Sequence, residues 1–172
     1  IEVCTPDDFE PIFLEELRKD YAIVEDLNSQ WKLVTEDPKI DEFIDKLDSE
    51  FLNKEINPQQ KLVVFSESKE TTTYITNCLK KQGRTDVLEV NASNRDRLRE
   101  TIKVNFDANI PREQYQSEYS IIICTEVLAE GVNLHRSNVI VNYDTPWNST
   151  RLMQRIGRVN RIGSVAPNIH IF

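Results

Sequence analysis

The chain has 172 residues, of which 39% are apolar and 29% are charged, and its formal net charge at pH 7 is −8. This composition predicts a globular protein with a sizeable core. It contains no run of about 18 apolar residues, which argues against a membrane-spanning helix, and its acidic N-terminus is unlike a signal peptide. We therefore expect a soluble, cytoplasmic protein with no membrane partner.

The net charge is an average over two different parts of the chain. Residues 1–60 carry 17 acidic and 6 basic side chains, whereas residues 61–172 carry 12 acidic and 15 basic side chains. An acidic surface repels nucleic-acid phosphates, so the overall charge argues against nucleic acid as a partner. The weakly basic second part remains compatible with one.

The cysteine and histidine pattern predicts neither disulfides nor a metal site. Cys4, Cys78 and Cys124 are an odd number at irregular spacing, which indicates reduced thiols. His135 and His170 lie far from any paired cysteines, so the ligand spacing of a zinc site is missing. We expect no bound metal in this chain.

The first part, residues 1–58, is predicted to be an acidic helical segment. Apolar residues recur there at spacings of three and four, which indicates two amphipathic helices. Pro38 can open the second helix, and Asn57 followed by Pro58 closes the segment. We expect these helices to pack on a neighbouring domain and assign them no chemistry. The apolar positions are Phe9, Phe13, Leu14 and Leu17, then Ile40, Phe43, Ile44, Leu47 and Phe51.

From residue 59 to residue 172 the pattern predicts an α/β domain with a mostly parallel sheet. Short apolar runs alternate with helical stretches, as expected for strands joined by crossover helices. Ser68 can cap a helix that runs to about Gln82, and the stretch 105–120 is expected to be an exposed loop. Two more helices are expected over 94–106 and from about residue 150. The predicted strands are 62–65, 87–90, 121–124, 139–141 and 169–172.

The residues that follow these strands are the expected ligand contacts, because ligands of such sheets bind at the carboxyl ends of the strands. Ser66, Asn91, Thr125 and Asp144 come directly after four of the predicted strands or close to their ends. We expect these side chains to lie at one edge of the sheet.

The stretch from Gln154 to Arg161 carries the most informative pattern. On a helix Gln154, Arg158 and Arg161 fall within about 60° of one another, with Leu152, Ile156 and Val159 opposite. Several cations on one short helix repel each other, which favours an anion drawn in among them, and a guanidinium can hold phosphate oxygens bidentately. A nucleoside triphosphate would fit, and a solvated basic face is the alternative.

The order Gln154, Gly157, Arg158, Arg161 resembles motif VI of the superfamily-two helicases and translocases, specifically of their C-terminal RecA-like domain. The resemblance implies a three-layer RecA-like fold with a mostly parallel sheet flanked by helices. It also implies that Arg158 and Arg161 act as arginine fingers on ATP held by the other motor domain, with Gln154 in the same catalytic set. Fingers of this kind contribute about 10³ to 10⁵ in rate.

A second block, residues 121–126 followed by 131–134, resembles motif V of the same family. By this resemblance Thr125 contacts the nucleic-acid backbone, while Gly131 and Asn133 lie beside the nucleotide. Residues 61–68 resemble motif IV, and Ser66 and Asn91 complete the predicted nucleic-acid-binding set. Many relatives carry Asp at the position of Asn133, whereas Swi/Snf-type translocases often carry Asn. Residues 143–148 also resemble the Swi/Snf version, so the subtype leans towards DNA rather than RNA.

The parts of a complete motor that bind ATP are missing from the sequence. No Gly-x-x-x-x-Gly-Lys-Ser/Thr loop occurs, and the chain has only four glycines. No Asp-Glu pair at a strand end offers a ligand for Mg²⁺. We expect ATP and Mg²⁺ to be held mainly by an N-terminal RecA-like domain of the same protein, so this chain alone should be inactive.

Two alternatives remain open at this point. The first is a non-catalytic module that keeps the RecA-like fold and binds nucleic acid or a protein. The intact Gln154, Arg158 and Arg161 argue against it, since passive binding does not require them. The second is an unrelated α/β domain in which the motifs occur by coincidence.

Overall fold

The computed structural model describes residue 5 and residues 8–125 and 132–172. The chain divides into two compact units, Ile1–Pro38 and Lys39–Phe172. The first unit contains helix α1 (Pro11–Trp31). The ring of Phe9, just before this helix, stacks on that of Phe13 in its first turn, with the centroids 4.6 Å apart. The first predicted amphipathic helix is thus present.

Within the described residues, no helix combines the length and the apolar character needed to cross a membrane.

The second unit is built on a five-stranded sheet. The strands lie in the order β2-β3-β1-β4-β5, and all four of their pairings are parallel. The runs β1, β2 and β3 match the predicted strands residue for residue, which confirms the predicted parallel α/β architecture. The strands are β1 (Leu62–Phe65), β2 (Val87–Val90), β3 (Ile121–Cys124), β4 (Val139–Asn142) and β5 (His170–Ile171).

Helices cover both faces of this sheet. They are α2 (Pro38–Lys46), α3 (Lys69–Lys81), α4 (Arg95–Phe106) and α5 (Ser149–Val159). Alternate strand residues point to opposite faces, so α2 and α3 share one apolar cluster with Leu62 and Val64, whereas α4 and α5 share the other with Val63 and Phe65. This gives three layers. Residues 107–120 form the loop expected before β3, with a short 3₁₀ turn at Arg112–Gln114.

The second predicted helix belongs to the core of the sheet. Helix α2 continues into a π-helical turn, Leu47–Phe51, and buries Ile40, Phe43, Leu47 and Phe51 in the same cluster as the strands. The predicted boundary lies after residue 58, whereas the compact units divide after residue 38. The two boundaries differ by helix α2 and the turn that follows it. An apolar stripe shows that a helix is buried on one face, but it does not show which unit the helix packs on.

The end of α5 corrects one sequence-based expectation. Arg161 was expected on the helix with Gln154 and Arg158, but α5 ends at Val159. Asn160 leaves the helical conformation with φ −81° and ψ 86°, although its N–H still donates to the carbonyl of Ile156. Arg161 therefore lies beyond the helix, and its direction is set by its contacts rather than by helical periodicity.

Candidate functional site

A cleft of about 460 Å³ lies at the carboxyl ends of β1, β2 and β3. Two of the three predicted nucleic-acid-binding residues, Asn91 and Thr125, line it, while Ser66 does not. The full lining is Glu67, Lys69, Asn91, Ala92, Ser93, Thr125 and Arg151. The edge of the sheet predicted to bind ligand is thus concave and carries polar and charged side chains.

Ser66 is fully buried next to this cleft. Its Oγ donates to Oδ2 of Asp144 at 2.5 Å, and Nζ of Lys39 lies 3.0 Å from Oδ1 of the same carboxylate. Burial opposes the ionised carboxylate, but the hydrogen bonds from Ser66 and Lys39 outweigh it and hold the pKa of Asp144 below its ordinary value. Ser66 therefore ties the end of β1 to the loop after β4. A contact between Ser66 and nucleic acid stays a prediction.

Asn91 shapes the turn that forms one wall of the cleft. Its Oδ1 accepts from the backbone N–H of Ser93 at 3.0 Å and from Ser93 Oγ at 2.6 Å. Asn94 closes the same turn, since its Oδ1 accepts from the N–H of Asn91 at 2.8 Å and its Nδ2 donates to the carbonyl of Glu89 at 3.1 Å. These side-chain bonds hold the wall of the cleft in a fixed shape.

Two basic residues that the sequence analysis did not select also line the cleft. Lys69 is the first residue of α3, and Arg151 lies in the first turn of α5. Both helices are capped, by Ser68 Oγ on the N–H of Thr71 at 3.0 Å and by Asn148 Oδ1 on the N–H of Thr150 at 2.8 Å. Helix N-termini carry partial positive charge, so the cleft combines two such ends with two cations and suits phosphate groups. For Lys69, the available signal in the sequence was a basic residue directly after the capping Ser68, close to the end of β1.

The polar residues of helix α5 differ in how far they are buried. Gln154 is exposed, Arg158 is half-buried, and Arg155 is fully buried on the side of the sheet. Nη1 of Arg155 donates to Oδ1 of Asn142 at 3.2 Å and to the carbonyl of Asp144 at 2.9 Å. One cation of the basic stretch is thus structural, because it anchors α5 on the sheet.

The end of α5 meets the segment that resembles motif V. The backbone N–H of Leu134 donates to the carbonyl of Arg158 at 3.0 Å. The guanidinium of Arg161 donates through Nη1 to Oδ1 of Asn133, and its Nε donates to the carbonyl of Gly157 at 3.1 Å. The structure thus brings the side chains of Asn133 and Arg161 into contact, and the backbone of Arg158 pairs with Leu134, the residue after Asn133. The fourth predicted nucleotide-binding residue, Gly131, lies outside the described residues.

An acidic residue that the sequence analysis did not select completes this cluster. Oδ2 of Asp107, just after α4, accepts from Nδ2 of Asn133 at 3.1 Å. Its Oδ1 lies 3.7 Å from Nε2 of His135. His135 is fully buried, and burial lowers the pKa of its imidazole, with Arg161 acting in the same direction and Asp107 opposing them. No pattern in the sequence links residue 107 to residue 133.

A parallel sheet covered by helices on both faces, with polar residues at the carboxyl ends of its strands, makes this unit a three-layer α/β domain. The family described as "Helicase conserved C-terminal domain" matches residues 42–163. The chain therefore belongs to the family of helicase C-terminal domains, which confirms the resemblance seen in the sequence.

The curated relatives are ATP-dependent helicases. The chain is 41% identical to the "Uncharacterized ATP-dependent helicase YqhH" of Bacillus subtilis over 61 residues, which cover 36% of this chain and 11% of that protein. It is 30% identical to the "ATP-dependent RNA helicase DBP2" of Candida glabrata over 142 residues, which cover 82% of this chain and 24% of that protein. The chain thus spans a quarter or less of the length of these two relatives.

Solved structures share the fold. The C-terminal part of the Fun30 ATPase domain matches with a TM-score of 0.62 at 19% identity, covering 91% of this chain and 48% of that one. Dbp5 of S. cerevisiae, solved bound to RNA and ADP BeF3, matches with a TM-score of 0.55 at 22% identity, covering 77% of this chain and 31% of that one. At such identities the likeness supports the fold alone.

Proposed function

We propose that this chain is the C-terminal motor domain of an ATP-dependent nucleic-acid helicase or translocase, and that the complete protein hydrolyses ATP. The observation that carries the proposal is the contact between Arg161 and Asn133 next to the backbone bond between Leu134 and Arg158. Residues from two separate motif-like segments form one surface at the end of α5. Membership of the helicase C-terminal family supports the same conclusion.

In the proposed mechanism, ATP is held by an N-terminal motor domain and its binding closes that domain onto this one. Closure brings the guanidiniums of Arg158 and Arg161 onto the γ-phosphate, where they neutralise the charge that develops during phosphoryl transfer. Gln154 lies on the same helix as Arg158 and is exposed, so it is available to the same closing surface. Hydrolysis removes the γ-phosphate and allows the two domains to separate.

The Mg²⁺ that accompanies ATP belongs to the other motor domain in this proposal. Among the residues that the structure describes, no group of three or more His, Cys, Asp or Glu side chains could hold a metal ion. In this proposal the chain supplies positive charge to the nucleotide, and the other motor domain supplies the metal ligands. Alone, it is expected to be inactive.

The cleft at the strand ends is the proposed grip on nucleic acid. Lys69, Arg151 and two helix N-termini offer charge and N–H donors to phosphates, and Thr125 and Asn91 add polar contacts. Such contacts carry no sequence information, so binding is expected to be unspecific and sensitive to salt. Cycles of closure and opening then move this grip relative to that of the other domain. The preference for DNA stays a prediction, since named relatives include RNA helicases, and stimulation by DNA and RNA of equal length would measure it.

The test is nucleic-acid-stimulated ATP hydrolysis by the complete protein, compared among wild type, Arg158→Ala and Arg112→Ala. Arg112 is an exposed arginine in the loop before β3 and controls for the loss of one positive charge. We expect Arg158→Ala to lower kcat by about 10³-fold, within the range for arginine fingers. Arg112→Ala should leave kcat unchanged.

The possible outcomes separate the motor from a binding module. Loss of hydrolysis in Arg158→Ala, with nucleic-acid binding retained, supports the motor. Full hydrolysis in Arg158→Ala contradicts the finger assignment. Absence of hydrolysis in the wild-type complete protein, with nucleic acid still bound, favours the non-catalytic module.

A further inference from the structure

We infer that Asp107 is a positioning residue for the arginine finger Arg161 and acts through the side-chain amide of Asn133. The inference rests on the proposed function, because it assigns a partner to one of the proposed fingers. The contacts that carry it form a chain, from Asp107 Oδ2 to Asn133 Nδ2 at 3.1 Å, and from Asn133 Oδ1 to the guanidinium of Arg161.

The chemistry of the amide explains why the carboxylate is needed. A guanidinium has only donors, so it can pair with the oxygen of Asn133 but not with the NH₂ group. An unrestrained amide can rotate and present either end. A carboxylate has only acceptors, so Asp107 fixes the NH₂ group towards itself and thereby keeps the oxygen of Asn133 turned to Arg161.

The residues around Asp107 partly shield its carboxylate from solvent and donate to both of its oxygens. Asp107 has a side chain that is only 13% exposed, so its charge is partly shielded from solvent. Burial lowers the pKa of the neighbouring His135 imidazole, which disfavours the protonated form that would offset the charge of Asp107. Within the described part of the chain, neither ring nitrogen of His135 has a hydrogen-bond partner. Oδ1 of Asp107 accepts from the backbone N–H of Asn109 at 2.8 Å, which leaves Oδ2 to accept from the amide of Asn133.

Arg161 depends on this support because it lies beyond the end of α5. Helical backbone does not fix its direction, and its contacts are with Asn133 and with the carbonyl of Gly157. A finger that is displaced by about 1 Å can lose about 100-fold in rate. Orientation of the Asn133 amide is therefore expected to appear in kcat.

The experiment measures kcat and the KM for ATP of nucleic-acid-stimulated hydrolysis in the complete protein. Asp107→Leu removes the acceptor and keeps the branching at Cγ, whereas Asp107→Asn keeps an acceptor oxygen. We expect kcat to fall by about 10- to 100-fold in Asp107→Leu and by less than about fivefold in Asp107→Asn, with KM changing much less than kcat. Glu100→Leu is the matched control. Glu100 lines a second cleft, of about 420 Å³, together with Asp107 and Asn133. This substitution should leave kcat unchanged.

A double variant distinguishes positioning from a structural role. If Asp107 acts through Arg161, adding Asp107→Leu to Arg161→Ala causes no further loss of kcat. A further loss of the same size as in the wild-type background would overturn the inference. If Arg161→Ala itself keeps full kcat, the finger assignment of the proposed function fails. If Arg161→Ala loses activity while Asp107→Leu keeps it, only the positioning role fails.

A charge exchange tests the inference even if Asp107→Leu does not fold. Asn133→Asp alone puts two carboxylates in contact and should lower kcat. Adding Asp107→Asn restores one amide and one carboxylate in exchanged positions, so kcat should recover to within about fivefold of wild type. Failure to recover, with the exchanged variant folded, would contradict the inference.

Discussion

Replacing Gly157 by alanine is expected to change stability and activity in opposite directions. Gly157 lies in the interior of α5 between Ile156 and Arg158, and it is exposed. A Cβ built on it meets nothing within 4 Å, and its φ is not positive. The isolated fold therefore has no use for a glycine at this position.

The expected effect on stability follows from helix propensity. Glycine in a helix interior costs about 0.5 to 1 kcal/mol relative to alanine, because it loses more backbone freedom on folding. Gly157→Ala should raise the free energy of unfolding by that amount and the Tm by about 1 to 4 °C for a chain of this size. Thermal unfolding of the 172-residue chain, followed by circular dichroism, measures the change.

The expected effect on activity has the opposite sign. If the surface around Gly157 closes onto the nucleotide and the other motor domain, an added methyl group occupies that space. We expect the kcat of the complete protein to fall by about tenfold or more, as for a misplacement of about 1 Å. If the variant chain is more stable but less active, the requirement for glycine at this position comes from a contact with the nucleotide or the other motor domain.

Gly163→Ala is the control for the stability measurement. Gly163 has φ +94°, and an added Cβ would lie 3.4 Å from Oδ1 of Asn109. This substitution should lower the free energy of unfolding by about 1 kcal/mol or more. If Gly157→Ala gives the same destabilisation, its exposed position in α5 is wrong. If Gly157→Ala raises stability and leaves kcat unchanged, this surface does not take part in closure.

Two further predictions concern a buried lysine and the cleft. The pKa of Lys61 is lowered to about 8 by burial and by the nearby Arg136, so the folded chain binds fewer protons than the unfolded chain between pH 8 and 10.5. The free energy of unfolding should rise over that interval by about 1 to 3 kcal/mol, and Lys61→Met should abolish the rise in urea titrations at several pH values. For the cleft, Arg151→Ala should weaken nucleic-acid binding equally for all sequences and reduce the salt dependence of log K by about one ion, as measured by fluorescence anisotropy. An unchanged salt slope would exclude a phosphate contact by Arg151.

The sheet and its helices could be predicted because each is specified locally. Four consecutive apolar residues, as in Leu62–Phe65, indicate a strand that is covered on both faces, and β1 is buried throughout. Ser68 marks the start of α3, where its Oγ accepts from Thr71. The order of strands across the sheet depends on contacts between distant segments, so the sequence predicted a parallel sheet without its strand order.

Side-chain pairing across loops could not be predicted. Asp107 and Asn133 lie in different loops, and only the folded sheet brings them within 3.1 Å. Periodicity also assigns a residue to a helix face without saying how a charge on that face is satisfied. Arg155 is buried because Asn142 and the carbonyl of Asp144 accept from its guanidinium. Motif order located Arg158 and Arg161, but only the structure ended α5 before Arg161.

Asp144 has a mechanical consequence for the domain. Its carboxylate accepts from Ser66 at the end of β1, beside the cleft, and its backbone carbonyl accepts from Arg155 in α5. Two hydrogen bonds and the atoms of this one residue thus join the cleft edge of the sheet to the helix that carries Arg158. We therefore expect a displacement of the cleft edge to be transmitted to α5, so that the two surfaces of this domain move together.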